Sequence, residues 1–382
     1  MNYRELGNTG LAVSEIGLGG EWLTGLATEQ VDRVIDAALA EGVNCLDIFM
    51  PQPETRSNIG HALRGRREKM LLQGHLGAIY EDGQYTRSRQ MDKVKAAFDD
   101  LLTRLGTDYI DIGMLHYIDN MEEYQRLMDG EFYAYACQLR DQGVIRHIGL
   151  SSHNPQVSLR AVEEGRIQVL MFSINPAYDL EGAAANIEEL MHYQLLQSGQ
   201  WTADPARQEL YARCAAKGVG ITVMKPLGAG SLLRAESSPF GAAMTVVQCC
   251  HYCLTRPGVA SVLVGCRTPE QVQAAARYAT ASPEEKAYGH IYAAGRRIQM
   301  TGRCMYCNHC QPCPVHIDVA EVTKFLDLAR QQEQVPETVR DHYLALAHHA
   351  GECIQCGSCE GNCPFGVQVR ENMAAAQALF GC

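Results

Sequence analysis

From about residue 15 to residue 280 the chain alternates short aliphatic runs with longer stretches of helical spacing. The candidate strands are 15–19, 43–47, 70–74, 109–115, 145–150, 168–173, 220–224 and 260–264. Helix-like segments lie between them, at 29–40, 88–104, 122–142, 154–164, 207–217, 242–255 and 269–278. Strand–helix alternation predicts a parallel sheet joined by crossover helices. Eight repeats in roughly 265 residues match the size of a closed (β/α)8 TIM barrel. An open doubly wound sheet is the rival arrangement. It often carries a Gly-rich fingerprint after its first strand, and Gly17-Leu18-Gly19-Gly20 lacks the G-x-G-x-x-G spacing. Arg256-Pro257-Gly258 reads as a helix stop, and Thr268-Pro269-Glu270-Gln271 as a capping box that opens the next helix. The polar stretch 197–205 reads as a rim loop, and 282–300 as a further helix leading out of the barrel.

The composition then shifts. The chain has 16 cysteines, and eight of them form two short runs after residue 300. The first run is Cys304-x2-Cys307-x2-Cys310-x2-Cys313-Pro314, and the second is Cys353-x2-Cys356-x2-Cys359-x3-Cys363-Pro364. Three thiolates at three-residue spacing wrap one face of an iron–sulfur cube, and the fourth points elsewhere. In two-cluster ferredoxins that fourth Cys ligates the other cluster. Crossing the ligands puts Cys304, Cys307, Cys310 and Cys363 on one [4Fe–4S] cluster. Cys353, Cys356, Cys359 and Cys313 take the second. The first run is one residue tighter than the usual bacterial spacing. Structural zinc is the alternative, because paired C-x2-C motifs also build zinc ribbons. Each run here supplies four cysteines and a following Pro, whereas a zinc ribbon draws two from each pair. The 39 residues between Cys313 and Cys353 include helical stretches near 320–332 and 337–349. The expected organisation is therefore a barrel over 1–281, a connecting helix over 282–303, and a mainly helical ferredoxin-like domain over 304–382. The scattered Cys45, Cys137, Cys214, Cys249, Cys250, Cys253, Cys266 and Cys382 read as small apolar core residues.

Charge and hydropathy exclude other classes. The net charge of −11 opposes a general nucleic-acid role, since phosphate binding needs a basic surface. No apolar run approaches the roughly 18 residues of a membrane span. The opening Met1-Asn2-Tyr3-Arg4-Glu5 lacks the blocks of a signal peptide, so a cytoplasmic location is expected. Cysteines in that setting suit metal or redox chemistry better than disulfides.

The stretch Tyr3-Arg4-Glu5-Leu6-Gly7-Asn8-Thr9-Gly10-Leu11-Ala12-Val13-Ser14 resembles the N-terminal hairpin of the aldo/keto reductase superfamily. Leu46-Asp47 with Ile59-Gly60, Tyr109-Ile110-Asp111 running to Leu115-His116, Ile148-Gly149-Leu150-Ser151 and Met224-Lys225-Pro226-Leu227-Gly228 continue the likeness in order. With the C-terminal cysteines the chain resembles an iron–sulfur branch of that superfamily. The resemblance implies reduction of a small carbonyl substrate by NAD(P)H at the barrel mouth, with an Asp, Tyr, Lys and His set. By position the Asp is Asp47 and the His is His116. Gln52 stands in the Tyr place and His75 in the Lys place. A Gln amide cannot serve as a proton donor near neutral pH. His75 and His116 are therefore expected to share the acid–base work, with Asp47 biasing their protonation. Tyr80 and Tyr117 are alternative donors. Arg56 and Glu54 read as the opening of a helix rather than as a substrate site.

The family's nicotinamide contacts map to Ser151, Ser152 and Asn175. Leu227, Gly228 and Gly230 map to its pyrophosphate loop, and Arg267 to a 2′-phosphate partner. Gln271 and Ala275 depart from the family pattern. The expected function is an oxidoreductase whose clusters relay electrons, with a ferredoxin or flavodoxin-type donor as candidate partner. In one version the clusters feed the substrate and nicotinamide is not the donor. The rival from another class is a redox sensor or electron-transfer partner with a non-catalytic barrel, and a last option has the clusters only bracing the fold. How near the cysteine runs lie to the barrel mouth separates these readings.

Overall fold

The computed structural model describes residues 1–180, 204–293, 302, 304–330, 334–363 and 365–382. Among these, eight parallel strands close a barrel in the order β3 (Ile16–Gly19), β4 (Cys45–Ile48), β5 (Leu71–Leu76), β8 (Ile110–Leu115), β9 (Ile145–Ser152), β10 (Val169–Ser173), β11 (Gly220–Met224) and β12 (Val259–Val264). Val262 opposite Ile16 completes the ring. The strands are buried along their length, as parallel strands under covering helices must be. The helix Thr28–Ala40 shows why the helices pack outside. Its Val31, Val34, Ile35 and Ala38 form one buried stripe at helical spacing.

The chain enters through a hairpin of β1 (Tyr3–Glu5) and β2 (Ala12–Ser14), with Tyr3 opposite Ser14. Leu6 and Val13 are fully buried against Ile112, Met114, Val169 and Leu263, so the hairpin plugs the floor of the barrel. Gly7 sits there at φ +55°, and a Cβ on it would lie 2.3 Å from the Gly218 carbonyl oxygen. Only glycine fits that approach.

Some elements differ from expectation. The stretch 122–142 is two helices, Met121–Met128 and Glu131–Asp141, because Gly130 is extended and caps the second. The helix expected to open at Glu54 and Arg56 runs over Pro53–Ala62 and starts on a Pro at its first position. After β5 the chain makes a two-stranded ribbon, β6 (Ala78–Glu81) and β7 (Gln84–Arg87). Its turn, Asp82-Gly83, has both residues at positive φ, the tight-hairpin signature. Of the stretch 282–300, Pro283–Lys286 and His290–Ala293 are short helices, and 294–300 lie outside the described residues. Residues 197–203 also lie outside them. Pro205 already opens a helix, Pro205–Lys217, capped by the Asp204 side chain.

The C-terminal part has its own core. The helices Val319–Arg330 and Val369–Phe380 pack together, and Tyr343 stacks on Phe380 with ring centroids 4.0 Å apart. Cys310 and Cys363 are buried in that core beside Leu326 and Met373. The helix Glu337–Leu344 ends before the expected residue 349.

Candidate active site

Asp47, His75 and His116 stand at the C-terminal ends of β4, β5 and β8, the end where barrel enzymes place their chemistry. The three side chains are buried and joined in a line. Asp47 Oδ1 lies 2.8 Å from His75 Nε2, and His75 Nδ1 lies 2.9 Å from His116 Nδ1. His116 Nε2 lies 2.7 Å from the hydroxyl of Tyr85. Gln73 donates to the same Asp47 oxygen at 3.0 Å. Phe49 stacks on His116 at 5.7 Å and meets His75 and Tyr85 edge-on, so it walls the line from one side. Burial first, then His75, Arg89, Arg87 and His153, hold His116 well below the usual histidine range. Burial raises the Tyr85 phenol.

Tyr85 escaped the sequence reading. It comes from β7, and the Asp82-Gly83 turn that aims it was the only local signal. Of the donors considered instead, Tyr80 is 42% exposed on the ribbon. Tyr117 lies at the mouth beside His116, but its ring faces another group, described next. Gln52 precedes the helix Pro53–Ala62, and its Oε1 is buried with no hydrogen-bond partner. Arg56 donates to Met50, Ala97 and Asp100 and is structural, while Glu54 is exposed.

A second group shares the mouth. His153 follows β9, and its Nδ1 lies 2.9 Å from Asp119 Oδ2. Asp119 also accepts from the His153 backbone N–H and the Ser152 hydroxyl. Burial alone would raise that carboxyl, but His153 and these hydrogen bonds hold it at about 2. The ionised Asp119 fixes a proton on Nδ1, so Nε2 accepts from Lys225 Nζ at 2.9 Å. Lys225 and Tyr117 both sit at positive φ, 56° and 49°, a conformation that costs a side-chain-bearing residue energy. Arg89 donates to the carbonyls of His116 and Tyr117 and holds that turn. Glu21, on the turn after β3, is pushed up to about 7 by burial, with Lys225 lowering it and Asp47 raising it.

The C-terminal part reaches into this mouth. His309, between Cys307 and Cys310, packs against Tyr117 at 4.8 Å and His153 at 5.2 Å between ring centroids. Its Nδ1 is buried without a partner. On the ribbon, Gln84 accepts from the Cys313 N–H at 3.1 Å and donates to the Cys313 carbonyl at 3.2 Å. Tyr178, beyond β10, stacks on Phe365 at 6.0 Å.

The two cysteine runs gather as two sets. Burial raises the Cys310 thiol, with Cys307, Cys304, Asp318 and Cys363 adding to it. Burial likewise raises the Cys304 thiol, with Cys307 and Cys363 adding to it. A separate cavity is lined by Cys313, Cys353, Cys356 and Cys359. A single zinc ion needs thiolates about 2.3 Å from one point. Among the described residues no three Cys, His, Asp or Glu side chains converge as a single-ion site. A cube binds each thiolate at its own iron, so its four ligands stand further apart. Of the scattered cysteines, Cys137 and Cys382 are partly exposed and the others are buried.

The positions mapped to nicotinamide are engaged differently. Ser152 donates to Asp119. Asn175 accepts from the Ala177 and Tyr178 N–H groups and donates to the Lys225 carbonyl. Ser151 is buried at the end of β9. Gly228 and Gly230 are at positive φ in the turn after Leu227. Arg267 donates to the carbonyls of Trp22 and Thr24 across the rim. Ser152 and Asn175 thus spend their hydrogen bonds within the protein.

The profile of the Aldo/keto reductase family matches residues 15–293. An uncharacterized oxidoreductase of Bacillus subtilis, YqkF, is 31% identical over 182 residues, which cover 46% of this chain and 56% of that protein. An aldo-keto reductase of Mycolicibacterium smegmatis is 29% identical over 228 residues, covering 59% of this chain and 68% of the relative. The chain thus spans little more than half the length of the first of these. Among solved structures, the holo form of aldo-keto reductase AKR11C1 from Bacillus halodurans superposes with a TM-score of 0.60 at 25% identity. That match covers 78% of this chain and 97% of that one.

Proposed function

The chain belongs to the aldo/keto reductase family, and on that premise we propose that it is an iron–sulfur oxidoreductase acting on a small carbonyl or alcohol substrate. The observation that carries the reading is the hydrogen-bonded line Asp47–His75–His116–Tyr85 at the barrel mouth. It supplies an acid–base chain where the family's Tyr and Lys positions hold Gln52 and His75. Gln52 Oε1, Gln73 Oε1 and His309 Nδ1 are buried polar atoms without partners around the same mouth, which suits a small polar ligand.

The line works by shifting one proton. With the extra proton on, it rests on His75, which faces the Asp47 carboxylate. His75 then donates through Nδ1 to His116, and His116 donates through Nε2 to the Tyr85 oxygen. The Tyr85 hydroxyl is left free to donate to a carbonyl oxygen. With that proton removed, the bonds reverse, and Tyr85 donates to His116 and can accept no more than an alcohol proton. One proton therefore selects between the acid for reduction and the base for oxidation.

The crossed cysteine sets support two [4Fe–4S] clusters, held by Cys304, Cys307, Cys310 and Cys363 and by Cys313, Cys353, Cys356 and Cys359. When bound, such clusters supply single electrons. A ferredoxin-like domain over 304–382, a connector over 282–303 and a barrel over 1–281 follow from that assignment, as does membership of an iron–sulfur branch of the family. NAD(P)H is the family's usual donor, and Ser151, Ser152 and Asn175 are the side chains that would hold its nicotinamide. A ferredoxin or flavodoxin-type protein is the matching donor. A cytoplasmic setting suits oxygen-sensitive clusters, and no helix among the described residues is long and apolar enough to cross a membrane.

His309 in the mouth favours a second reading, a redox sensor or electron-transfer partner with a non-catalytic barrel. One experiment decides. Protein purified without oxygen should carry about eight irons per chain and reduce simple aldehydes under dithionite. His116→Gln should abolish that reduction. Zinc in place of iron, or aldehyde reduction indifferent to His116, would overturn the proposal.

A further inference from the structure

The barrel and the first cysteine set share a cation. Lys225 leaves β11 in the left-handed conformation and donates to His153. His153 packs on His309, which the chain carries between Cys307 and Cys310. Among the described residues no carboxylate forms an ion pair with Lys225, whereas His75, His153 and Arg89 each have one. Glu21 lies within electrostatic reach of Lys225, and each further anion beside a partly buried ammonium favours its charged form. Four thiolates around a cube carry net negative charge, which grows by one on reduction.

We infer that Lys225 is the residue by which the barrel sets the reduction potential of the group held by Cys304, Cys307, Cys310 and Cys363, and that the His309–Tyr117 contact is where single electrons cross to the barrel site. This inference rests on the cluster assignment made above. It adds a direction. Cys356 is exposed and Ile354 beside it is 60% exposed, so the second set faces solvent. Cys310 and Cys363 of the first set are buried, and the run of Cys310 carries His309 into the mouth. With clusters held there, the exposed outer set would face a one-electron donor protein of the ferredoxin or flavodoxin class, and the buried inner set would face the barrel site. Reducing a carbonyl to an alcohol takes two such electrons and two protons. The C=O π bond breaks, the O–H proton comes from Tyr85, and the C–H proton comes from solvent. The two oxidised donor molecules balance the electrons.

The test is a redox titration of the cluster-loaded protein with dithionite, followed by EPR. Lys225→Met should move one of the two cluster signals to lower potential and leave the other in place. Lys225→Arg should restore it. Lys225→Gln gives the same reading should the Met variant load poorly. Two signals that ignore Lys225, or that move together, overturn this inference alone. Absence of both signals in the wild type overturns the cluster assignment itself. A second arm adds NADH or NADPH to the oxidised protein. No cluster signal is expected, and reduction of either cluster by nicotinamide would overturn the electron route.

Discussion

His75 and His116 face each other through their Nδ1 atoms at 2.9 Å. Two imidazoles in that geometry share a single proton, so the state of one dictates the tautomer of the other. His75 is closed at its far end by Asp47 and His116 by Tyr85. Every ring nitrogen is therefore assigned, and Tyr85 is the member of the line with an oxygen able to face a substrate.

Tyr85→Phe should lower kcat roughly 10²- to 10⁴-fold, the usual loss for a removed general acid. KM should change little, because the ring and its contact with Phe49 remain. Tyr80→Phe, on the exposed side of the same ribbon, should leave kcat unchanged. Steady-state aldehyde reduction compares the two.

The relay predicts opposite pH profiles for the two directions. Reduction should fall as pH rises, because the extra proton leaves the line, and alcohol oxidation should rise over the same range. His116 adds a stability term of known sign. It is held below 6.5 in the folded protein, so the unfolded chain binds its proton first and stability falls as pH drops through 6.5. His116→Gln should remove that part of the slope in urea melts.

Glu21 should act with the other sign. Its carboxyl is raised from 4.5 to about 7 in the folded state, so its contribution is present below pH 4.5 and lost as pH rises through about 7. Glu21→Gln should flatten the stability profile between those values. Its effect on turnover should appear as an altered pH profile, since Asp47 is one of its charged neighbours.

Asp119 anchors His153 and, through it, Lys225. Its folded value near 2 against an ordinary 3.8 corresponds to about 2 kcal/mol of stability, present above pH 3.8 and lost as pH falls toward 2. Asp119→Asn should cost about that much in urea denaturation at pH 7. Removing the carboxylate also frees the His153 tautomer.

The crossed ligand sets predict which cluster each cysteine serves. Cys363→Ser, from the second run, should remove the cluster of the first run. Cys313→Ser, from the first run, should remove the other. Iron content should fall by about half in each variant. The surviving EPR signal should differ between the two variants.

Much of this was visible in the residues alone. The strands fell within a few residues of their observed bounds because β-branched and aliphatic runs, punctuated by Gly and Pro, mark buried parallel strands. Asp47, His75 and His116 were found because each ends a strand, where the barrel geometry points side chains at the mouth. The single helix expected over 122–142 was broken by Gly130, whose N-cap role depends on the extended backbone it adopts. Tyr85 was missed because a ribbon of four-residue strands carries little periodicity, and only its Asp82-Gly83 turn stood out.

Spacing along the chain decided the two cysteine runs and the eight-fold alternation, since each of these is local. Convergence decided the rest. Tyr85 meets His116 across 31 positions, and Gln84 meets Cys313 across 229. His309 meets His153 and Tyr117 from another part of the chain altogether. Such contacts follow from how packed elements are oriented, and no periodicity encodes that orientation. Tertiary structure therefore determined that the cysteine run carrying His309 packs at the barrel mouth.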